Sequence, residues 1–352
     1  MKRVFDIVTA IVIVSFLVAC SSPVTPAAPA AQPTPTTQPF KVGLLSPGPV
    51  HDQGWDQTAY DAFVRIQDEL GAQMSYVELA DDPAAFQKAF RDYASQGYNM
   101  VLGHGFQFQD SAIAVAKDFP NTLFFISSSR YDGVKEGNPN VIGLNTDSSQ
   151  AYFLLGIIAA KMGKGGGIVG GVESPPISET ITGFINGVRS INPQFQVTST
   201  YLGNWTDVAA AKEASLAMVS QGVDFLAPNA NIAGNGVYQA IVQANGMGFG
   251  TYQSTKNKDN FSACPKNCVA NYVLDYGQGL VNIAREAKAG TFKPTSNIEF
   301  GLKDKDVLYI TYNEQATTPV PADVRKLVDD ATQKIISGEF KPLANNPLTK
   351  NP

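Results

Sequence analysis

The fold class can be predicted from residues 40–79, FKVGLLSPGPVHDQGWDQTAYDAFVRIQDELGAQMSYVEL. An apolar run, Lys41–Ser46, is followed by the amphipathic stretch Gln57–Leu70 and then by a second strand-like run, Met74–Leu79. Apolar strands that alternate with amphipathic helices are typical of a parallel sheet covered on both faces. This stretch therefore predicts the start of a doubly wound α/β sheet.

The same alternation continues to Ile336, in two successive sets that meet near Asn145–Asp147. Two sets predict two doubly wound lobes, which agrees with a length of 352 residues at about 100–200 residues per domain. Ligands of such folds bind beyond the carboxyl ends of the strands. Because the two lobes would face each other, we expect the ligand in the cleft between them.

The N-terminus has the features of an export signal. Lys2 and Arg3 precede the apolar run Ile7–Val18, whose twelve residues are too few for the roughly 20 that a spanning helix needs. The residues before Cys20 resemble a bacterial lipobox, which predicts a lipoprotein signal peptide at 1–19 and lipidation of Cys20. An ordinary secretory signal is the alternative. Residues 20–39, rich in Pro, Ala and Thr, predict a flexible tether on the extracytoplasmic face of the cell membrane.

Composition excludes several classes of protein. The chain is 44% hydrophobic and 16% charged, which excludes a wholly disordered protein. Its net charge of −5 disfavours nucleic-acid binding, because a phosphate-binding domain is basic. With only two histidines and no catalytic motif, we predict no catalytic residue, no metal site and no cofactor. Cys264 and Cys268 are predicted to form a disulfide, with free thiols or a metal site as alternatives.

A glycine-rich run matches the dinucleotide-binding pattern G-x-G-x-x-G in its residues but not in its predicted secondary structure. Gly165–Gly170, GGGIVG, follows a predicted helix and leads into a predicted strand at Gly167–Val172. The dinucleotide fingerprint must instead follow a strand and open a helix. We therefore predict a helix C-cap and turn at these glycines.

Aromatic and hydrogen-bonding residues follow four of the predicted strands. The segments are 47–61 (PGPVHDQGWDQTAYD), 103–106 (GHGF), 204–207 (NWTD) and 249–254 (FGTYQS). They contain both tryptophans of the chain, Trp55 and Trp205, each near an aspartate. Indole rings stack on flat ligands, and a nearby carboxylate accepts hydrogen bonds that fix the ligand's orientation. These segments predict a site for a planar, polar-edged molecule.

Several motifs resemble those of one family, the PnrA-like or basic membrane protein substrate-binding lipoproteins of ABC importers. The similarity runs in order over about 250 residues of the folded part. The matching segments are Asp52–Asp61 (DQGWDQTAYD), Gln96–Tyr98, Gly103–Phe106, Asp118–Pro120, Ala151–Ala159, Gly183–Pro193, Trp205–Asp207, Gln221–Asp224 and Ala289–Lys293.

The resemblance implies a two-lobe type I periplasmic-binding-protein fold with a hinge, and a purine base or purine nucleoside as the ligand. Carried over by position, Tyr60 and Trp205 would sandwich the purine, and Asp52 and Asp56 would bond its base or ribose edge. The remaining candidate ligand contacts are Trp55, Gly103, His104, Phe106, Ser128, Asn229, Tyr252, Gln253 and Asp275. We expect an N-lobe at 40–146, a C-lobe at 147–273, a return to the N-lobe at 274–300, completion of the C-lobe at 301–340 and a tail at 341–352.

The sequence departs from the family pattern where charged residues would contact a ribose. Thr251–Gln253 stand where nucleoside binders of the family have an aspartate, and Ser127–Ser129 replace a second one. Asp275 stands close to the place of an expected lysine. These departures favour a free purine base, or another flat heterocycle such as a flavin, over a nucleoside.

The expected function is therefore that of a monomeric solute-binding protein that delivers a small planar ligand to an ABC transporter permease. A receptor that presents its ligand for signalling is the alternative. An extracytoplasmic enzyme is disfavoured because no acid–base constellation occurs. A repressor is disfavoured because a signal peptide stands where a helix-turn-helix would be needed.

Overall fold

The computed structural model describes residues 38–52, 55–252 and 261–344, with the side chains of 251 and 252 left out. The predicted signal peptide, Cys20, most of the tether, Gln253 and the end of the tail lie outside these residues. Over the described ranges, no helix is long and apolar enough to cross a membrane.

The first lobe contains one sheet with helices on both faces. Its elements are β1 (Lys41–Ser46), α1 (Trp55–Leu70), β2 (Gln73–Glu78), α2 (Pro83–Ser95), β3 (Met100–Gly103), α3 (Gln109–Ala116), β4 (Leu123–Ser127), β5 (Val141–Thr146), α8 (Tyr276–Lys288) and β11 (Ile298–Phe300). Helix α8 packs beside α1, where the Lys288 ammonium donates to the carbonyl of Leu70. The strand order is β11-β5-β4-β3-β1-β2.

The second lobe repeats this arrangement. Its elements are α4 (Ser148–Met162), β6 (Gly165–Gly170), α5 (Pro175–Ile191), β7 (Gln196–Tyr201), α6 (Val208–Ser220), β8 (Phe225–Asn229), α7 (Gly234–Ala244), β9 (Met247–Tyr252), β10 (Cys268–Leu274), β12 (Leu308–Tyr312) and α9 (Ala322–Ile336). The strand order is β12-β10-β9-β8-β6-β7, parallel except for β12, which runs antiparallel to β10. The predicted class, two doubly wound α/β sheets, is confirmed.

Helices α4 and α5 pack with their backbones in close contact. A Cβ atom added at Gly156 would overlap the carbonyl oxygen of Phe184, and one at Gly187 would overlap that of Phe153. Only glycine permits this approach, because any side chain would force the helices apart. The largest apolar core includes side chains from both sheets, among them Leu44 and Ile168.

The chain crosses between the lobes after β5, after β10 and after β11. Asp147 follows β5 and Asp275 follows β10. Both donate a backbone hydrogen bond to the segment that makes the third crossing, between β11 and β12. The Asp147 N–H donates to the carbonyl of Phe300 at 2.8 Å, and the Asp275 N–H donates to that of Val307 at 2.7 Å. The Asp275 carboxylate also accepts from the backbone N–H of Gln278 at 3.0 Å, which caps α8. These bonds tie the three crossings into one hinge region.

The prediction of a helix C-cap and turn is wrong at Gly165 and Gly166, because β6 begins at Gly165, two residues before the predicted start of the strand at Gly167. Neighbouring side chains leave little room for a Cβ atom at these positions. A Cβ at Gly166 would lie 3.1 Å from the Phe184 ring, and one at Gly167 would lie 2.7 Å from a methyl of Leu226. The preceding helix, α4, ends at Met162, and Gly163 is its C-cap. The run does not open a helix, so the dinucleotide reading stays rejected.

The disulfide loop lies beside β10. The structure bonds Cys264 to Cys268, and both side chains are buried. The Asn313 amide donates to the carbonyl of Cys268 at 2.8 Å and to that of Pro265 at 2.9 Å. The loop is thereby fixed against the end of β12.

Candidate functional site

The loop after β1 orients the first turn of α1. The Asp52 carboxylate accepts from the backbone N–H groups of Asp56 at 3.3 Å and Gln57 at 3.0 Å, so it satisfies two donors of the helix N-terminus. The Ser46 hydroxyl donates to the Asp56 carboxylate at 3.1 Å. Burial, together with the negative charges of Asp52 and Glu78, raises the pKa of Asp56 to about 6. Both predicted aspartates thus help to order the loop after β1 and the start of α1.

Trp55 begins α1 and rests on His104. The two rings stack with centroids 4.4 Å apart and an interplanar angle of 21°. His104 is fully buried; its Nε2 lies 3.0 Å from the Trp55 carbonyl oxygen and its Nδ1 lies 3.1 Å from the Ser127 hydroxyl. Since a carbonyl only accepts, Nε2 carries the proton and Nδ1 accepts from Ser127. Sequence analysis placed His104 at the ligand; the structure places it beneath Trp55, where it holds that residue.

The environment of His104 keeps its imidazole neutral. Burial lowers the pKa of His104 to about 4, and the hydrogen bond to Trp55 only partly opposes this. Tyr276, which begins α8 beside the hinge, lies 6.2 Å from His104 and 6.1 Å from Trp55, measured between ring centroids. Burial also raises the pKa of the Tyr276 hydroxyl, and the Ser127 side chain partly offsets that rise. A packed aromatic group therefore connects the hinge to Trp55.

One turn of the second lobe forms a hydrogen bond with the backbone of each tryptophan. The turn Asn231–Ala233 follows β8, and Asn231 has a left-handed backbone with φ 48°. The backbone N–H of Trp55, in the first lobe, donates to the Asn231 side-chain oxygen at 3.3 Å. The Ala233 N–H donates to the Trp205 carbonyl at 2.9 Å. The turn thus brings the two tryptophan-bearing segments to the interlobe junction.

Trp205 packs against Gly171, the residue that follows β6. A Cβ at Gly171 would overlap the six-membered ring of Trp205, so the indole occupies the space that a side chain there would fill. The ring is still 37% exposed. Its loop is ordered by Asn204, whose side-chain oxygen accepts from the N–H groups of Thr206 and Asp207. An ordered, part-exposed indole is available to a flat ligand.

Tyr60 packs on other rings of the first lobe. Its ring packs edge-on to His51 and Tyr76, with centroids 5.0 Å and 5.2 Å apart. Tyr76 is on β2, the edge strand of the first sheet. The predicted residue of α1 that contacts the second lobe is Trp55, through its backbone N–H to Asn231.

The other predicted site residues divide between the surface and the interior. Phe106 is 65% exposed, Ser128 is half-buried with φ 55°, and Asn229 donates to the Thr180 hydroxyl at 2.7 Å. Gly103 and Asp275 are buried, and an Arg65 nitrogen lies 3.7 Å from the Asp275 carboxylate. The structure thus gives Gly103 and Asp275 packing and hinge roles where sequence analysis expected ligand contacts. Tyr252 ends β9, and its side chain is not described.

Sequence analysis missed the residues that join the lobes. Arg130, which follows β4, forms a bidentate ion pair with Glu179 of α5 at 2.8–2.9 Å. Asn231, which also joins the lobes, was missed, as was Gly171, which packs against Trp205 within the second lobe. The available signal was their position within three residues of the end of a strand. Pairing across the cleft leaves no signal in a single sequence.

Taken together, the carboxyl ends of two mostly parallel sheets meet here, with indole rings and hydrogen-bonding side chains at the junction. This arrangement defines a two-lobe solute-binding protein with a type I periplasmic-binding-like fold. Residues 40–343 match the family model described as ABC transporter substrate-binding protein PnrA-like, and the chain belongs to that family.

Known proteins resemble the chain over most of its length. A purine-binding protein of Brucella abortus is 27% identical over 315 residues, covering 88% of this chain and 85% of that protein. Basic membrane protein A2 of Borrelia garinii is 25% identical, covering 85% and 87%. The structure of an ABC transporter solute-binding protein from Aeropyrum pernix shares the fold, with a TM-score of 0.71, 21% identity and coverage of 86% and 93%.

Proposed function

We propose that this ABC transporter solute-binding protein binds a purine base or purine nucleoside between its lobes and is lipid-anchored through Cys20. The observation that carries the ligand proposal is the attachment of both tryptophan segments to the turn Asn231–Ala233. The purine-binding relative from Brucella abortus supports the same class of ligand.

The junction suits a flat ring with polar edges. Stacking of a nucleobase on an aromatic side chain is worth about 1–3 kcal/mol per base. In the proposal, Trp55 and Trp205 supply the stacking faces, and Phe106 adds exposed apolar surface. Asp56 has a pKa of about 6, so at neutral pH its carboxylate is mostly ionised and accepts hydrogen bonds from ring N–H or hydroxyl groups.

Binding between lobes couples the ligand to a hinge motion. A ligand shifts an open–closed equilibrium only by its difference in affinity for the two states, and contacts from both lobes provide that difference. We place the hinge at the three crossings and keep the expected lobe limits, 40–146 with 274–300 and 147–273 with 301–340. The closed form then docks on the permease, and the tether restricts the volume it searches.

The test is calorimetric titration of the soluble full chain carrying Cys20→Ser with hypoxanthine, adenine, guanosine, inosine and riboflavin. The protein is first unfolded and refolded to remove any co-purified ligand. Saturable one-to-one binding of at least one purine, with a rise in melting temperature, supports the proposal. Binding of riboflavin alone, or of none of the five, would reject the purine ligand.

Lipid anchoring has its own test. In cells, the wild-type chain is expected to partition into detergent and to incorporate a labelled fatty acid, whereas Cys20→Ser does neither. Equal partitioning of both proteins would reject Cys20 as the anchor without affecting the ligand proposal.

A further inference from the structure

The side chain of Arg130 connects the two lobes. Its Nη1 and Nη2 donate to the two carboxylate oxygens of Glu179 on α5, at 2.9 Å and 2.8 Å. A guanidinium and a carboxylate that meet through two parallel bonds form the best-defined ion-pair geometry in proteins. Arg130 belongs to the first lobe and Glu179 to the second, so this geometry exists only while the lobes are together.

The first lobe holds Arg130 ready for this contact. The Arg130 Nε donates to the carboxylate of Glu299 on β11 at 3.1 Å. The same Glu299 oxygen accepts from the Asn145 amide at 2.8 Å, which ties it to β5. Both carboxylates raise the pKa of Arg130, so the guanidinium stays charged. When the lobes separate, Arg130 keeps Glu299 and loses only Glu179.

We propose that Arg130 is a positioning residue for ligand binding: it stabilises the closed arrangement of the lobes by pairing with Glu179 across the junction. This inference rests on the proposed binding of a ligand between the lobes. Because the pair forms only on closure, it raises the fraction of molecules in the binding-competent state. The apparent affinity rises with that fraction.

The size of the effect follows from the exposure of the pair. Arg130 is 42% exposed and Glu179 is 27% exposed, so solvent screens their attraction. Ion pairs at such positions shift equilibria by about two- to fivefold. A shift of this size is small relative to the free energy of folding. It is large enough to change the ratio of open to closed molecules, because the two states of a hinged protein are close in free energy.

The experiment compares Arg130→Gln, Glu179→Gln and the double variant, each in the full chain with Cys20→Ser. Arg91→Gln is the matched control, because Arg91 pairs with Asp118 at 2.8 Å within the first lobe. One readout is the dissociation constant and dissociation rate of guanosine. The other is the distance between nitroxides on Lys88→Cys and Glu213→Cys, exposed positions on α2 and α6, without ligand.

We expect each single variant to shift the nitroxide distances to longer values and to raise the dissociation constant and rate of guanosine about two- to fivefold. The double variant should show the same changes in distance, dissociation constant and dissociation rate as either single variant, because all three variants lose the same Arg130–Glu179 ion pair. Distances and affinities equal to those of Arg91→Gln would overturn the proposal, as would weaker binding with unchanged distances. If the wild type binds no guanosine, the affinity readout uses whichever purine the calorimetric panel identifies. If it binds no purine at all, the proposed ligand is wrong, while the ligand-free distances still decide the role of Arg130.

Discussion

The Trp55 indole stacks on the buried His104 imidazole, and the two residues are also joined by a hydrogen bond from His104 Nε2 to the Trp55 carbonyl. Two contacts between the same residues fix both the backbone and the ring of Trp55. The backbone N–H of Trp55 in turn donates to the side-chain oxygen of Asn231 in the second lobe. His104 therefore supports the point where the first lobe meets the second.

Trp55→Ala is expected to weaken purine binding by about 1–3 kcal/mol, or roughly five- to 150-fold, because a stacking face is lost. Titration calorimetry measures this change, and chemical unfolding checks that the variant remains folded. The matched comparison is Tyr60→Ala, whose ring packs on His51 and Tyr76. A larger loss of affinity in Tyr60→Ala than in Trp55→Ala would restore Tyr60 as the sandwiching ring.

Gly171→Ala is expected to weaken binding although it adds only one methyl group. The new Cβ would overlap the Trp205 ring and push the indole off the end of β6. Because the ring is part-exposed, it can move without opening a core cavity, so the free energy of unfolding should change little. Trp205→Ala should weaken binding to a similar degree. An unchanged dissociation constant in both variants would remove Trp205 from the site.

The contribution of His104 to the stability of the wild type should fall as the pH is lowered from about 6.5 to about 4, opposite in sign to that of Asp56. His104 has a pKa of about 4 in the folded state and 6.5 as its ordinary value, so within this window the unfolded chain binds a proton that the folded chain does not. The shift corresponds to about 3 kcal/mol. Urea unfolding of the wild type and His104→Gln across this window isolates the effect. Parallel stability curves for the two proteins would contradict it.

Asp56→Asn is expected to raise the free energy of unfolding at pH 8 and to leave it unchanged at pH 4. The folded pKa of Asp56 is about 6, above its ordinary 3.8, so ionisation costs the folded state stability as the pH rises between these values. After allowance for solvent screening of a partly exposed group, the gain is about 1 kcal/mol. The asparagine oxygen can still accept from Ser46. A loss of stability at pH 8 would show that the carboxylate is favoured in its ionised form.

The fold could be predicted from sequence because it depends on local periodicity. The apolar run at Lys41–Ser46 and the amphipathic helix after it were recognisable without any tertiary information. Strand β11, Ile298–Phe300, was missed because three residues are too few to show a period. The glycines of β6 were misassigned because turn preference is local, whereas the reason for them is the space taken by Phe184 and Leu226.

The site could be predicted only as a set of segments. Position after a strand directed attention to Trp55, His104 and Trp205. It could not show that the His104 ring turns inward, because side-chain direction depends on packing. The contact between Trp55 and Asn231 joins residues 176 positions apart, and nothing local in either segment predicts it.

Tryptophan fluorescence tests the central claim most directly, because the only two tryptophans of the chain, Trp55 and Trp205, lie in the segments that meet at the junction. The variants Trp55→Phe and Trp205→Phe each retain one indole, and both are titrated with guanosine and hypoxanthine under excitation at the red edge of indole absorption. The account predicts a saturable change in emission from each variant, with a midpoint that matches calorimetry on the same protein. Saturable heat of binding with unchanged emission from both indoles would place the ligand elsewhere and contradict the account.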